Sequence, residues 1–203
     1  MDFWDVVRRR RMVRAFTAEA VAVDVLDRIL DAGRRAPAAG NADGRAFVVL
    51  AGSTETASYW DATLPQGERR DSFRWGGLLD APVLVVVCAS ANAYVERYAE
   101  PDKVGAGLGA SADAWPVPYW TVDAALSTMR ILDACVAEGL GACFFGIFDH
   151  EAAVCDALGV PDEWRPIGTI AIGHADPARD EPGRSATRAR PTLDAIVHRG
   201  GWR

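Results

Sequence analysis

The spacing of apolar residues along the chain predicts three amphipathic helices. Apolar positions recur at helical intervals over residues 2–11, 21–37 and 119–141, and the third of these patterns is the longest. We expect the second helix to close at Gly33 and Pro37. Its apolar face comprises Val25, Leu26, Ile29 and Leu30. Helices of this kind bury one face against a core and leave the other in water.

Four apolar runs predict buried strands. They cover residues 45–52, 81–90, 142–148 and 166–176. Between the first two, residues 67–80 have the pattern of a short amphipathic helix. Strands therefore alternate with helices, and the longest helix lies near the middle of the order. This arrangement predicts an α+β fold in which one mixed or antiparallel sheet is flanked by helices.

Two segments lack a regular pattern. Residues 91–118 are rich in Ala, Gly and Pro and predict an irregular excursion or a lid. Residues 176–203 have too few apolar side chains to fold alone, so we expect this tail to wrap over another surface.

A helix is predicted over residues 149–160, with Asp149 as its N-cap. We expect the whole chain, residues 1–203, to form a single domain.

The composition is that of an ordinary globular protein. Of 203 residues, 50% are hydrophobic and 25% are charged, and a chain of this size buries roughly 70% of its unfolded surface without needing a disulfide or a metal. The cysteines lack CxxC or zinc-type spacing and are expected to be reduced packing residues: Cys88, Cys135, Cys143 and Cys155. A charged amino terminus and the lack of a long apolar segment predict a cytoplasmic protein without membrane contact.

Charge is distributed unevenly along the sequence. The net charge of −6 argues against general nucleic-acid binding. Arginines nevertheless cluster near both ends, as Arg8, Arg9, Arg10, Arg11 and Arg14 and as Arg188 and Arg190. A solvated helix end is one interpretation of the first cluster. However, that cluster continues into an apolar segment, and the second lies in a tail that must dock to be ordered, so both favour an anion-binding site.

Other motifs give weaker indications. Asn41 lies among small residues before the first predicted strand, where a flat ligand could approach the backbone and an amide could bind its edge. The glycine-rich residues 105–111 follow no strand and open no clear helix, so we interpret them as a loop. His150, His174 and His198 match no metal-site spacing. The sequence therefore gives no support to metal or nucleophilic catalysis.

Five stretches of the chain occur in the order and spacing of a known family. They are "RRRMVRAF", "APAAGN", "EGLGACFFGIFD", "RPIGTIAIGHAD" and "RARPTLDAIV". Through them the chain resembles the FMN-dependent nitroreductase family over nearly its whole length, most weakly in residues 91–118. The resemblance implies an NAD(P)H-dependent flavin oxidoreductase that forms an intertwined homodimer, with FMN at the subunit interface.

The resemblance also implies which residues hold the FMN phosphate. Arg10 and Arg11 would contact it, and Arg190, together with Arg188, would join them. Arginine suits this role because its planar fork binds phosphate oxygens bidentately and stays charged. Arg14 would lie near N1 and the C2 carbonyl of the ring, where a cation stabilises the reduced flavin.

Further contacts to the ring follow from the same resemblance. Asn41 would bond its pyrimidine edge, and the backbone at Ala38 and Ala39 would reach the cofactor from the partner subunit. The strand residues along one face of the ring would be Phe144, Phe145 and Gly146. Under this hypothesis the flavin contacts residues from both halves of the chain.

The chain departs from the family pattern in two places. Met12 stands where the family usually carries a small hydroxylated residue, so a backbone amide would have to replace that phosphate bond. Asp43 and Arg45 stand in a rim where many members read "NSQPW", so the substrate class is not carried over. An aromatic cluster either roofs the substrate pocket or packs the core or the dimer: Trp115, Tyr119 and Trp120.

The implied reaction is hydride transfer from NADH or NADPH through flavin N5 to a nitroaromatic, quinone or similar flat acceptor, in ping-pong turnover. It requires no catalytic acid, base or nucleophile from the protein. Two alternatives remain open: a biosynthetic FMN-dependent dehydrogenase or oxidase whose own substrate donates the hydride, and a non-catalytic flavin-binding protein. Nucleic-acid binding through the arginines is the weakest hypothesis, because no aromatic residues are interleaved with them.

Overall fold

The computed structural model describes residues 1–202, which form seven α-helices and four β-strands. The helices are α1 (Phe3–Arg9), α2 (Val23–Arg34), α3 (Ser53–Thr63), α4 (Glu68–Asp71), α5 (Ala91–Ala99), α6 (Tyr119–Ala137) and α7 (Glu151–Leu158). The strands are β1 (Arg45–Ala51), β2 (Val83–Ala89), β3 (Gly141–Phe145) and β4 (Arg165–Gly173). Within residues 1–202, no helix has the length and apolar character needed to span a bilayer.

The four strands form one sheet in the order β1-β2-β4-β3, and every neighbouring pair is antiparallel. All residues of β2 are buried, as its run of valines predicts for a central strand. The pairing of β2 with β4 shifts register between Val87 and Cys88, which lie opposite Gly168 and Pro166. Because proline cannot donate a ladder hydrogen bond, an irregularity at this position is expected.

Successive residues of β2 point to opposite faces of the sheet and so enter two separate cores. Val83, Val85 and Val87 pack against α2 and α6 on one face. Their neighbours Leu84 and Val86 pack against α3 and α7 on the other. The sheet is therefore covered by helices on both sides.

The prediction of an α+β fold with an antiparallel sheet is confirmed, and all four predicted strands are present. Helix α3 was not predicted, because its sequence "STETASYWDAT" has little contrast between an apolar and a polar face. Residues 67–80 form only α4 and a 3₁₀ turn, and the segment from residue 91 begins with helix α5 rather than irregular chain. The N-cap prediction was wrong, because His150 rather than Asp149 precedes α7, and it makes no capping bond.

The segment after α1 runs beside the start of β3 and the end of β4. Met12 forms a parallel bridge with Ala142 of β3, and the Val13 N–H donates to the Ala142 carbonyl at 2.9 Å. Four residues after Met12, Phe16 forms an antiparallel bridge with Ala175, just beyond β4. These bridges bring the N-terminal arginines next to the start of the C-terminal tail.

Candidate active site

A cavity of about 520 Å³ lies between the segment after α1 and the C-terminal tail. We call it the arginine pocket, because its lining includes Arg10, Arg11, Arg14 and Arg190. Met12 also lines it. The two arginine groups that lie almost a full chain length apart in sequence therefore meet in one cavity. Arg188 lies outside it, in an adjoining cavity of about 580 Å³ that Arg190 also lines.

The tail contributes two acidic residues to this pocket, Asp180 and Glu181, and the sequence reasoning missed both. The Asp180 carboxylate, only 3% exposed, forms an ion pair with the Arg11 guanidinium. Its other oxygen accepts the backbone N–H of Arg14 at 2.7 Å. Asp180 therefore ties the tail to the arginine segment and compensates the charge of one arginine.

The remaining phosphate-binding candidates differ from Arg11 in their ionic partners. Within residues 1–202, neither Arg10 nor Arg190 forms an ion pair, whereas Arg11 is paired. Arg10 acts electrostatically on Asp133 of α6, but burial dominates there and raises the pKa of that carboxyl. Arg10 and Arg190 consequently bring positive charge to the arginine pocket, and no ion pair within residues 1–202 neutralises it.

Arg14 lies between the arginine pocket and a second cavity. Its guanidinium donates to the Met12 carbonyl at 3.2 Å and lies over the Trp75 ring, 5.2 Å from the ring centroid. The tail passes so close that a Cβ on Gly183 would lie 3.1 Å from an Arg14 nitrogen. These contacts hold the Arg14 charge in one place.

The second cavity, about 360 Å³, is lined mainly by aromatic side chains, and we call it the aromatic pocket. Phe144, Phe145 and Gly146 line it, as does Arg14. Phe145 stacks on Trp60 of α3, with a ring separation of 5.8 Å and an interplanar angle of 9°. The strand segment that the sequence assigned to the flavin ring thus adjoins the arginine pocket through a shared arginine.

Phe144 and Met12 are fixed by close packing at the edge of the sheet. A Cβ on Gly168 of β4 would lie 2.5 Å from the Phe144 ring, so only glycine fits there. The Met12 sulfur accepts the Phe144 N–H at 3.4 Å. The side chain of Met12 is therefore engaged with β3, and its backbone remains as the group that can face an anion.

The predicted ring contacts at residues 38–41 line neither of the two pockets within one chain. Ala38 precedes a 3₁₀ turn, Ala39–Asn41, and the Ala39 N–H donates to the carboxylate of Asp123 at 2.7 Å. The same carboxylate oxygen accepts the hydroxyl of Tyr94 at 2.7 Å. Asn41 is exposed and has a positive φ of 55°, which asparagine tolerates better than most residues.

The predicted substrate-rim residues take two different positions. The Arg45 guanidinium donates to the backbone carbonyls of Pro37 and Arg34, each at 3.1 Å. It therefore braces the end of α2 instead of projecting freely. Asp43 is exposed on the loop before β1.

Trp115, Tyr119 and Trp120 come together in a separate aromatic cluster. Trp115 is 7% exposed, its ring lies 4.7 Å from that of Tyr98, and its indole N–H donates to the Leu108 carbonyl at 2.9 Å. The ring centroids of Tyr119 and Trp120 lie 6.0 and 6.1 Å from that of Trp115. Within one chain this cluster packs residues 91–118 onto α6, and none of its members lines the arginine or aromatic pocket.

Comparison with known proteins decides which family carries this geometry. A model of the nitroreductase family matches residues 7–174. The chain belongs to the nitroreductase family. The resemblance found in the sequence is thereby confirmed, and the match includes β1 to β4 together with the first arginine cluster.

The alignments with similar proteins cover most of this chain. The chain is 24% identical over 178 residues to a Methanothermobacter thermautotrophicus protein provisionally named NADH dehydrogenase/NAD(P)H nitroreductase, covering 86% of this chain and 78% of that one. It is 22% identical over 179 residues to an Archaeoglobus fulgidus protein of the same provisional name, covering 86% of each. A nitroreductase family protein of Streptococcus pneumoniae TIGR4 superposes with a TM-score of 0.75 at 20% identity, covering 97% and 99%, so it shares the fold.

Reactive side chains in the nitroreductase pockets are few. Burial raises the pKa of the Cys143 thiol in the aromatic pocket, which disfavours its nucleophilic thiolate form. His150 is the only histidine that lines either pocket in the part of the chain that the structure describes. In that same part, no group of three or more His, Cys, Asp or Glu is placed to hold a metal. The site offers fixed positive charge and flat apolar walls.

Proposed function

We propose that this protein is an FMN-dependent oxidoreductase that takes hydride from NADH or NADPH and reduces nitroaromatic, quinone or similar flat acceptors. The observation that carries the proposal is the meeting of Arg10 and Arg190 in one cavity without an ion-pair partner among residues 1–202. Family membership supports the flavin, and the names of two relatives support the nicotinamide donor.

The residues fit FMN in both charge and shape. A phosphate dianion suits the two unpaired guanidiniums, each of which can bind two oxygens. The adjoining aromatic pocket offers an apolar wall at Phe144 to Gly146 for a flat ring. FMN, when bound, would supply the hydride-accepting and hydride-donating chemistry of the site.

The chain's own residues would bind and orient the cofactor and tune its electrostatics. Arg10 and Arg190 would hold the phosphate, and Asp180 would keep Arg11 and the tail in place. Arg14 would provide a positive charge at the ring, because Trp75 and the Met12 carbonyl already restrain it. A preorganised charge of this kind stabilises negative charge without reorganisation during the reaction.

We also propose a homodimer with FMN at the subunit interface. Exposed apolar residues follow helical spacing along α6, namely Tyr119, Val122, Leu126 and Met129. Helix α1 packs against α6 and exposes Phe3, Trp4 and Val7. An apolar surface of this extent favours association, and a partner would allow residues 38–41, which line neither pocket here, to reach the cofactor.

Four free cysteines support the proposed cytoplasmic location.

Charging the α6 stripe is expected to dissociate the dimer. Leu126→Glu together with Met129→Glu should give a monomer that retains little FMN, because two carboxylates would be buried without partners. Sedimentation velocity and the flavin-to-protein absorbance ratio measure both effects. Ala152→Glu, on the exposed side of α7, adds the same charge elsewhere and should leave the dimer intact. A dimeric double variant would contradict this interface.

Anaerobic titration with NADPH and with NADH tests the reaction. The purified protein should be yellow, release FMN on denaturation, and bleach with one equivalent of nicotinamide per flavin. Reoxidation by a quinone would complete the cycle. A yellow protein that neither nicotinamide bleaches would instead favour a dehydrogenase or oxidase with its own hydride donor, or a non-catalytic flavin protein. A colourless protein that does not bind added FMN would refute the proposal.

A further inference from the structure

The aromatic pocket combines flat apolar walls with positive charge alone. Trp60, Phe73, Trp75 and Phe144 are among its aromatic lining residues. Its charged lining side chains are arginines, and no Asp or Glu lines it in the described part of the chain. A cavity of this composition favours flat aromatic molecules that carry negative charge, and the FMN proposed above is one of them.

Arg69 is the arginine in this lining that has no other role in the fold. It lies in α4, is exposed, and makes no hydrogen bond or ion pair with the rest of residues 1–202. The next residue, Arg70, behaves differently, because it pairs with Asp61 at 2.7 Å. Arg69 is therefore free to pair with a ligand, whereas Arg70 is a structural residue.

Phe148 provides an independent indication of a ligand. Its side chain is 85% exposed, although phenylalanine is usually buried. Its φ is +50°, a left-handed backbone conformation that is unfavourable for a bulky residue. The ring closes over Gly146, where an added Cβ would lie 2.8 Å from it. The fold thus holds an exposed aromatic ring in a strained position at the lining of the pocket.

We infer that the exposed side of the aromatic pocket, next to the flavin ring that Phe144 to Gly146 would support, selects flat aromatic anions. Phe148 would stack on the ring of such an anion, and Arg69 would pair with its acidic substituent. The inference rests on the proposed function for the bound flavin and for identifying this ligand as the electron acceptor. It narrows the acceptor class to aromatic compounds that carry a carboxylate or a similar anionic group. Neutral compounds of the same shape bind the same walls more weakly.

Two non-reducible probes of equal shape test the charge preference. Naphthalene-2-carboxylate and naphthalene-2-carboxamide are titrated into the purified, flavin-loaded protein by isothermal titration calorimetry. The carboxylate is expected to bind roughly fivefold more tightly, the scale of an ion pair at an exposed site. Equal affinities, or binding of neither probe, would overturn the inference.

Two substitutions assign the preference to named residues. Arg69→Gln should weaken the carboxylate roughly fivefold and leave the carboxamide unchanged, and Arg69→Lys should restore most of the loss. Phe148→Leu should weaken both probes by a similar factor, about fivefold, since it removes stacking but no charge. Arg199→Gln, an exposed arginine that lines neither pocket, is the matched control and should change neither affinity.

The same variants separate this inference from other roles of Arg69. Equal weakening of both probes in Arg69→Gln would assign the residue a structural role. A raised KM for NADPH or NADH with unchanged carboxylate affinity would assign it to the nicotinamide donor. Either result overturns the inference. Because the probes are not reduced, a carboxylate preference in a protein that neither nicotinamide bleaches would sustain the pocket assignment while the proposed function fails.

Discussion

Replacing Arg10 by alanine is expected to weaken FMN binding by roughly 10-fold to 100-fold. A hydrogen bond between a charged donor and a phosphate is worth about 1.5–3 kcal/mol, and each 1.4 kcal/mol is about tenfold in affinity. Arg10 lines the arginine pocket and has no ion-pair partner among residues 1–202, so its guanidinium is available to bind the phosphate. Arg190→Ala should have an effect of the same order.

Flavin fluorescence titration of the apoprotein with FMN and with riboflavin measures this effect. Riboflavin lacks the phosphate, so its affinity should hardly change in Arg10→Ala. Arg11→Ala should cost less than Arg10→Ala, because Asp180 already compensates the charge of Arg11. Arg9→Ala removes an exposed neighbouring arginine that lines neither pocket and serves as the control. Undiminished FMN affinity in Arg10→Ala would remove this residue from the phosphate site.

Replacing Asp123 by alanine is expected to lower the free energy of unfolding by about 2–4 kcal/mol. The carboxylate is 3% exposed and accepts two hydrogen bonds, from the Tyr94 hydroxyl and the Ala39 N–H. Removing it leaves both donors without that acceptor, and each such loss costs about 1–3 kcal/mol. The turn at Ala39–Asn41 should also lose its anchor on α6.

Urea unfolding followed by circular dichroism measures the change. Tyr94→Phe removes one of the two donors and is expected to lower the free energy of unfolding by about 1 kcal/mol. The cost is smaller because the Asp123 carboxylate keeps its hydrogen bond from the Ala39 N–H. Asp123→Asn keeps an acceptor oxygen and should lie between the two. A decrease in the free energy of unfolding of less than about 0.5 kcal/mol in Asp123→Ala would contradict the structural role assigned to this carboxylate.

Patterns that repeat locally predicted the right elements. The valine-rich run of β2 and the run of isoleucine and small residues in β4 indicate buried strands whatever surrounds them, and both are present. Helix α6 follows from its long apolar rhythm. Helix α3 carries no such rhythm. Its two large apolar residues, Tyr59 and Trp60, are adjacent in sequence, pack into the core and stand among largely polar neighbours.

The candidate site could be predicted only where a motif marked it. The arginine clusters were found because several like charges in a short stretch stand out in an acidic chain. Asp180 and Asp123 have unremarkable sequence surroundings, and each accepts a hydrogen bond from a backbone group more than 80 residues away in sequence. Arg69 belongs to no motif, and Phe148 stands in "EGLGACFFGIFD" without a role assigned to it; both are functional candidates only through the cavity they line.

The sequence by itself determined the four strands, most of the helices, the family and the set of cations available to an anion, because hydrophobic period and residue chemistry are local properties. Only the tertiary structure decided which of those cations are already neutralised and which face a cavity. That distinction arises when β3 and β4 bring residues 12–16 against the tail: Asp180 then reaches Arg11, while Arg10 and Arg190 remain unpaired within residues 1–202. Charge compensation depends on distance in space, and distance in space is set by the packed sheet.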